Sequence, residues 1–329
     1  MTLRDSYGRT ATDLRVSLTD RCNLRCTYCM PAEGLSWLPK PELLRIDELV
    51  RLLGLAVHRL GITNIRFTGG EPLLAPHLEE AVSAAAALSP RPRIALTTNG
   101  IGLAARAEAL KRAGLDRVNV SLDTVDPERF ARVTRRDRLN DVLAGLEGAA
   151  AAGLTPVKVN AVLDPETGLD DAVALLEFCL DRGYQLRIIE QMPLDAGHLW
   201  RRGQTLTADA ILATLHSRFQ LTPDPAPRGS APAELWQVDG GRGTVGVIAS
   251  VSTPFCGACD RTRLTADGQV RSCLFSRQET DLRGLIRSGA DDDALVQAWQ
   301  DAMWAKPAGH GINEPGFVQP DRPMSAIGG

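Results

Sequence analysis

The chain has 329 residues, 44% of them apolar and 23% charged, a soluble globular composition with room for one large domain or a large and a small one. Its net charge of −3 offers no positive field to nucleic acid or to an acidic membrane surface, and no charged-then-apolar leader opens it. The alanine-rich runs Ala81–Leu88 and Ala144–Gly153 are too short and too weakly apolar to span a bilayer, so a cytoplasmic location with reduced thiols is expected.

In chain order, Thr12–Leu18 alternates as a strand and leads straight into a cysteine-bearing loop. Helical periodicity covers Ile46–Leu60, and a strand over Asn64–Phe67 runs into Thr68-Gly69-Gly70-Glu71-Pro72. A helix (Pro76–Leu88), a strand (Arg93–Thr97), a helix (Leu103–Ala113) and a strand (Arg117–Ser121) follow. The series continues with a helix (Leu139–Ala152), a strand (Pro156–Val162), a helix (Leu169–Arg182) and a strand (Gln185–Glu190). This alternation predicts an α/β fold: a partial barrel of six parallel strands with helices outside, two strands short of the full eight. Polar and glycine-rich residues gather at the C-terminal strand ends, where barrel enzymes carry their sites.

After Met192 the pattern changes. Thr207–Phe219 reads as a helix, the proline- and glycine-rich stretch Thr222–Pro232 as a linker, and Gly243–Val251 as a β segment. Asp281–Ser288 and Asp291–Trp304 read as helices, and Lys306–Gly329 as loop. A division into a barrel (1–222) and a smaller C-terminal α+β region (223–329) is expected.

Six of the seven cysteines form two triplets: Cys22, Cys26 and Cys29 in a C-x3-C-x2-C run, and Cys256, Cys259 and Cys273. Closed metal sites normally take four protein ligands, and three leave a coordination position free for a reacting molecule. A zinc loop is the other reading of either triplet, with His310 as the available fourth ligand for the second. Cys179 sits on the apolar face of its helix and reads as a buried free thiol.

The first run, Thr19–Met30 (T-D-R-C-N-L-R-C-T-Y-C-M), together with Gly69-Gly70-Glu71-Pro72, resembles the radical S-adenosylmethionine superfamily. That resemblance implies a [4Fe–4S] cluster on Cys22, Cys26 and Cys29 whose fourth iron binds S-adenosylmethionine. Reductive cleavage of the ligand would release a 5′-deoxyadenosyl radical. Tyr28, Gly70, Ser121 and Met192 would contact S-adenosylmethionine, and Glu71 would orient its amino group.

The second triplet lies in P-F-C-G-A-C-D-R-T-R-L and R-S-C-L-F. With D-L-R-V-S, R-F-T-G-G-E-P, L-T-T-N-G, N-V-S-L-D, V-K-V-N and the terminal Ile327-Gly328-Gly329, it resembles the GTP 3′,8-cyclase family of molybdenum cofactor biosynthesis across nearly the whole chain. The resemblance implies a second [4Fe–4S] cluster on Cys256, Cys259 and Cys273, brought to the open barrel mouth and gripping the guanine base.

A triphosphate needs several fixed cations, and arginine's planar fork suits phosphate oxygens. Strand alternation could turn Arg15 and Arg66 inward, and Arg261 and Arg263 toward one side. The resemblance implies that Arg15, Arg66, Thr97, Lys158, Arg261, Thr262 and Arg263 bind GTP, that Arg261 and Arg263 act in catalysis, and that the double-glycine end reaches into the site. It implies hydrogen removal from C3′ of GTP and attack of C3′ on C8. It also implies a homodimer and a downstream cyclic pyranopterin monophosphate synthase; the electron donor is not legible. A peptide-modifying maturase with an auxiliary cluster, and a non-catalytic iron–sulfur or zinc module, are the alternatives. The maturases carry more C-terminal cysteines, and the aromatic content of 5% does not suit a nucleic-acid-binding module.

Overall fold

The structure, a computed structural model, describes residues 2–328. In chain order the strands are β1 (Leu3–Arg4), β2 (Thr10–Ala11), β3 (Asp13–Ser17), β4 (Asn64–Thr68), β5 (Arg93–Thr98), β6 (Arg117–Ser121), β7 (Lys158–Val162), β8 (Gln185–Ile189), β9 (Leu221–Pro223), β10 (Glu234–Val238), β11 (Gly243–Ile248), β12 (Arg261–Leu264), β13 (Gln269–Arg271) and β14 (Thr280–Asp281). The helices are α1 (Ile46–His58), α2 (Leu78–Ala86), α3 (Leu103–Ala113), α4 (Pro127–Thr134), α5 (Leu139–Ala151), α6 (Gly168–Arg182), α7 (Ala208–His216), α8 (Leu282–Arg287), α9 (Asp292–Trp304) and α10 (Met324–Ile327). No helix among the described residues is long and apolar enough to cross a membrane.

Strands β3 to β8 lie side by side in sequence order, all parallel, as the alternation predicts. The physical cause is period-two patterning. Leu14, Val16, Ile65, Phe67, Ile94, Leu96, Val118, Val120, Leu186 and Ile188 are at most 1% exposed and join the helices in one core. Each such side chain contributes about 1.5–3 kcal/mol of burial. The alternate residues Arg15, Arg66, Thr97, Asn119, Lys158 and Arg187 face the barrel lumen.

The C-terminal region extends this sheet at both edges. Strand β11 pairs parallel with β8, and β12 pairs parallel with β3. The parallel array therefore reaches eight strands, yet it does not close. The outer edge of β11 is taken by antiparallel β10 and that of β12 by antiparallel β13, so neither has backbone groups left for the other. The expected division at 222/223 falls inside β9, an edge strand whose Pro223 costs no ladder bond there.

Four features depart from the sequence expectations. Helix α4 was legible and went unread: Asp126 caps it by accepting from the Arg129 N–H, Pro127 opens it, and Phe130 and Val133 supply the buried face. The stretch read as a linker holds β9 only at its start, and β10 follows it. Strands β13 and β14 are two or three residues long, too short for any periodicity. The tail, read as loop, ends in α10.

Candidate active site

The first cysteine loop leaves the C-terminal end of β3 and is tied to the turn leaving β4. Gly70 N–H donates to the Thr19 carbonyl and Glu71 N–H to the Arg21 carbonyl, both at 2.7 Å. A Cβ on Gly70 would lie 2.4 Å from the carbonyl oxygens of both Asp20 and Arg21. The glycine is required by this close approach of two backbones. The Glu71 carboxylate accepts from Leu73 N–H, the Thr98 hydroxyl and Asn99 N–H. It is fully buried, and burial pushes its pKa up to about 7. Oε1 takes two of these bonds and Oε2 one, so the protein fixes the carboxylate and Oε2 keeps room for a further donor. It holds Asn99, whose amide donates to Asn23 at 2.7 Å and faces the Cys22 sulfur at 3.9 Å.

The three thiols of this loop are half-buried and close enough to raise one another's pKa. Burial pushes Cys29 up to about 12, with Ser325 of α10 bonding its sulfur. The Tyr28 hydroxyl donates to Asp123 at 2.8 Å, and Asp123 also accepts from Val162 N–H, pinning the loop over the ends of β6 and β7. Ser121 ends β6 and Met192 follows β8, so the four expected S-adenosylmethionine contacts share one end of the barrel with the first triplet. The segment after Met192 straps down this end. Ala196 N–H donates to the Cys29 carbonyl, Met324 N–H to the Leu194 carbonyl, and the Trp200 indole to the Gln191 carbonyl.

The second triplet lies at the other end of the strands. Cys256 and Cys259 occupy a turn just before β12, and because β12 runs parallel to β3, Arg261 registers with Asp13, the first residue of β3. Cys22, in contrast, comes after Ser17, the last residue of β3. The sequence expectation that both triplets share the barrel mouth is corrected by this register. The triplets bracket the lumen, separated by at least the length of β3, about 13 Å. The two site architectures also differ electrostatically. Cys259 is held below the ordinary thiol range: burial pushes it up, but Lys306 and Arg261 outweigh that. Cys256 accepts from the His310 backbone N–H. Both His310 ring nitrogens are engaged, with the Ser250 carbonyl at 2.9 Å and Ile312 N–H at 3.1 Å, which removes the imidazole as a fourth ligand.

Between the triplets runs a band of cations. Arg263, Arg15 and Arg66 register directly across β12, β3 and β4. Arg261 lies one step below Arg263 on the same face. Lys158 and Arg187 continue the band on β7 and β8. Like charges placed opposite one another on one sheet face repel. Burial and mutual repulsion depress Arg66 and Arg263 to about 9, Arg187 to about 10 and Lys158 to about 7. The buried carboxylate facing them is Asp13: burial raises its pKa, and Arg15, Arg66, Arg261 and Arg263 together pull it back below normal. The Nε atoms of Arg15, Arg66, Arg187 and Arg261 are buried without a hydrogen-bond partner. Such a concentration of desolvated cations is built for a polyanion.

Thr97 joins this band, its hydroxyl accepting from Arg66 at 3.4 Å. Thr262 does not. Its side chain lies on the outer face of β12, is 0% exposed, and accepts from the Trp299 indole at 3.0 Å. The expectation that this side chain meets substrate is corrected by strand alternation: if 261 and 263 point inward, 262 points out. Thr262→Val is therefore expected to leave the Michaelis constant for substrate within twofold while lowering stability by about 1–2 kcal/mol, because the indole N–H loses its acceptor; thermal melts and steady-state kinetics check both. Arg187 was missed in the sequence, although the alternation Gln185-Leu186-Arg187-Ile188 carries the same signal as Arg15 and Arg66. The tail also reaches the site. Arg263 donates to the Gly328 carbonyl, and a Cβ on Gly328 would meet the Ser17 hydroxyl at 2.3 Å. Gly329 lies outside the described residues.

Comparison with known proteins adds to this geometry. Residues 16–179 match the radical SAM superfamily and residues 184–312 match Molybdenum Cofactor Synthesis C. The chain is 74% identical over 327 residues to the GTP 3′,8-cyclase of Mycobacterium sp. (strain KMS), covering 99% of this chain and 93% of the relative. It is 73% identical to the Mycobacterium marinum enzyme of that name, and 71% identical to GTP 3′,8-cyclase 2 of Mycobacterium tuberculosis (strain H37Rv); each comparison covers 99% of this chain and 92% of the relative. Among solved structures, Streptococcus suis SuiB bound to precursor peptide SuiA superposes with a TM-score of 0.62 at 13% identity, over 93% of this chain and 67% of that one. Native anSMEcpe with bound AdoMet superposes at 0.59 and 16% identity, over 86% and 82%. At these identities the structural likenesses speak to the fold alone. The sequence identity over nearly full length speaks to more: the chain belongs to the GTP 3′,8-cyclase family of radical S-adenosylmethionine enzymes.

Proposed function

We infer that this chain converts GTP to (8S)-3′,8-cyclo-7,8-dihydroguanosine 5′-triphosphate, the first step of molybdenum cofactor biosynthesis, in the lumen between the two cysteine triplets. The observation that carries the reading is the row Arg263–Arg15–Arg66, largely buried and faced by the one carboxylate of Asp13, which lies 3.7 Å from Arg15. A triphosphate supplies the missing charge. Arg15, Arg66, Lys158, Arg187 and Arg263 would hold the phosphates, and Arg261, beside Cys259, would stand next to the purine.

The donor sets fit iron–sulfur clusters. Each offers three free thiols, with hydrogen-bond donors on sulfur at Cys22 and Cys29 in the first and at Cys256 and Cys259 in the second. Cys22, Cys26 and Cys29 would hold one [4Fe–4S] cluster with S-adenosylmethionine against Tyr28, Gly70, Ser121 and Met192. Cys256, Cys259 and Cys273 would hold the second. When bound, the first cluster and S-adenosylmethionine supply the one-electron chemistry that removes hydrogen from the ribose. The chain's own residues fix the geometry: the cations anchor the triphosphate, so C3′ is held at the first-triplet side and C8 within its reach. The strap after Met192 and the tail helix α10 cover that end and exclude water. The homodimer and the downstream cyclic pyranopterin monophosphate synthase belong to this proposal on family likeness; size-exclusion chromatography with light scattering tests the former.

Anaerobic incubation of iron-reconstituted protein with GTP, S-adenosylmethionine and dithionite should yield 5′-deoxyadenosine and the cyclised nucleotide. Absence of both contradicts the reading. Lys158 adds a pH signature. Its depressed pKa of about 7 means that the free ammonium is lost as pH rises above 7, whereas the triphosphate binds only the charged form. GTP affinity should be greatest below pH 7 and fall up to tenfold per pH unit above it, and Lys158→Met should remove that slope; fluorescence titration of GTP binding from pH 6 to 9 measures it.

A further inference from the structure

Lys306 follows the C-terminus of α9 and is 2% exposed. Its ammonium donates to the Arg261 carbonyl at 2.8 Å, the Cys259 carbonyl at 3.2 Å and the Cys259 sulfur at 3.3 Å. All three of its protons are thereby placed, and among the described residues no carboxylate pairs with it. A buried ammonium needs an anion, and the anion within its reach is the Cys259 thiolate. The position is braced from the far side. Arg9, on the β1–β2 hairpin, donates to the carbonyls of Pro307 (2.6 Å), Ala308 (2.8 Å) and Cys256 (2.8 Å), and its own Nε is fixed by Asp5. One arginine thus clamps the Lys306 segment to the loop that carries the second triplet.

The first triplet has no ammonium on a sulfur. The groups facing its sulfurs include the neutral Asn99 amide and Ser325; Arg25 is the cation beside Cys22, where it bonds the backbone carbonyl at 2.7 Å, and the other charges are acidic: Glu71 near Cys22, Asp123 near Cys26, Asp195 near Cys29. Hydrogen bonds and positive charge at a ligand sulfur stabilise the electron-rich, reduced cluster and raise its potential.

We propose that Lys306 is a positioning residue of the second site, an ammonium hydrogen-bonded to the Cys259 ligand sulfur that raises the reduction potential of the cluster bound there. The proposal rests on the reading of Cys256, Cys259 and Cys273 as a cluster site. The experiment isolates that site in the full-length chain by replacing Cys22, Cys26 and Cys29 with alanine, then follows the remaining cluster by electron paramagnetic resonance during a redox titration. With Lys306 intact, about four irons per chain are expected. Lys306→Met in this background should lower the midpoint so that the reduced-to-oxidised ratio at fixed potential falls at least tenfold, a shift of about 59 mV for one electron. Lys306→Gln, which keeps a neutral donor, should fall between, and Lys306→Arg should restore most of the shift. A cluster present at full occupancy with an unchanged midpoint in the Met variant overturns the role of Lys306. If the Met variant fails to hold iron, the Gln variant is read instead, and an unchanged midpoint there overturns it equally. No iron in the triple-alanine protein with Lys306 intact overturns the second-cluster reading itself, and the inference with it.

Discussion

Replacing Arg66 with methionine is expected to lower kcat/KM for GTP about 100-fold while leaving the ligand-free protein as stable as before, or more so. The two halves follow from one fact. Arg66 stands in a buried row between Arg15 and the lumen cations of β7 and β8, its Nε unpartnered and its pKa lowered to about 9 chiefly by burial. In the empty chamber it costs desolvation and repulsion, and a methionine of similar length removes both. With GTP bound it would form charge-assisted bonds to phosphate. Losing about 2.7 kcal/mol of such bonding gives the 100-fold loss, within the span of one or two such bonds. Kinetics and thermal melts without nucleotide check the pair. Unchanged kcat/KM together with a large drop in melting temperature would show that Arg66 serves the fold.

Gly70→Ala is expected to abolish S-adenosylmethionine cleavage, by at least 1000-fold, and to cut iron from about eight to about four per chain. The new methyl would sit 2.4 Å from two backbone carbonyls, those of Asp20 and Arg21, and neither can swing aside as a flexible side chain would. The loop carrying Cys22, Cys26 and Cys29 must move. The second triplet, at the far end of the strands, keeps its iron, and GTP still binds the arginine row. Gly54→Ala on α1 is the control: nothing lies within 4 Å of its added Cβ, and the helix should gain about 1 kcal/mol. Iron assay, sulfide assay and 5′-deoxyadenosine formation separate the two variants. A Gly70→Ala protein that retains about eight irons would contradict the close-approach argument.

The sequence made the six-stranded core legible because its strands alternate cleanly between helix-covered apolar residues and lumen residues, and because helical stretches separate them. Both cysteine triplets were legible from their spacing. What escaped was long-range. Nothing in Arg261–Leu264 says that this segment pairs with β3 and not with β11, and that pairing puts the second triplet at the opposite end of the strands from the first. Thr262 was misread for want of applying alternation to it, and Arg187 was passed over for the same reason. The buried bonds that fix Glu71 were not legible from its motif: its donors come from residues up to 28 positions away, visible only once β4 and β5 are adjacent. Lys306 and Arg9 lie 47 and 247 residues from the cysteines they bond, beyond any local signal.

The central claim, a lumen that holds GTP between two three-thiolate clusters, is tested most directly by an anaerobic crystal structure of the reconstituted protein with S-adenosylmethionine and GTP. The account predicts triphosphate oxygens within hydrogen-bond distance of Arg15, Arg66, Arg187 and Arg263, with the purine toward Cys256, Cys259 and Cys273 and the ribose toward the first triplet. A nucleotide bound outside the barrel, or a single zinc ion on the second triplet, would contradict it.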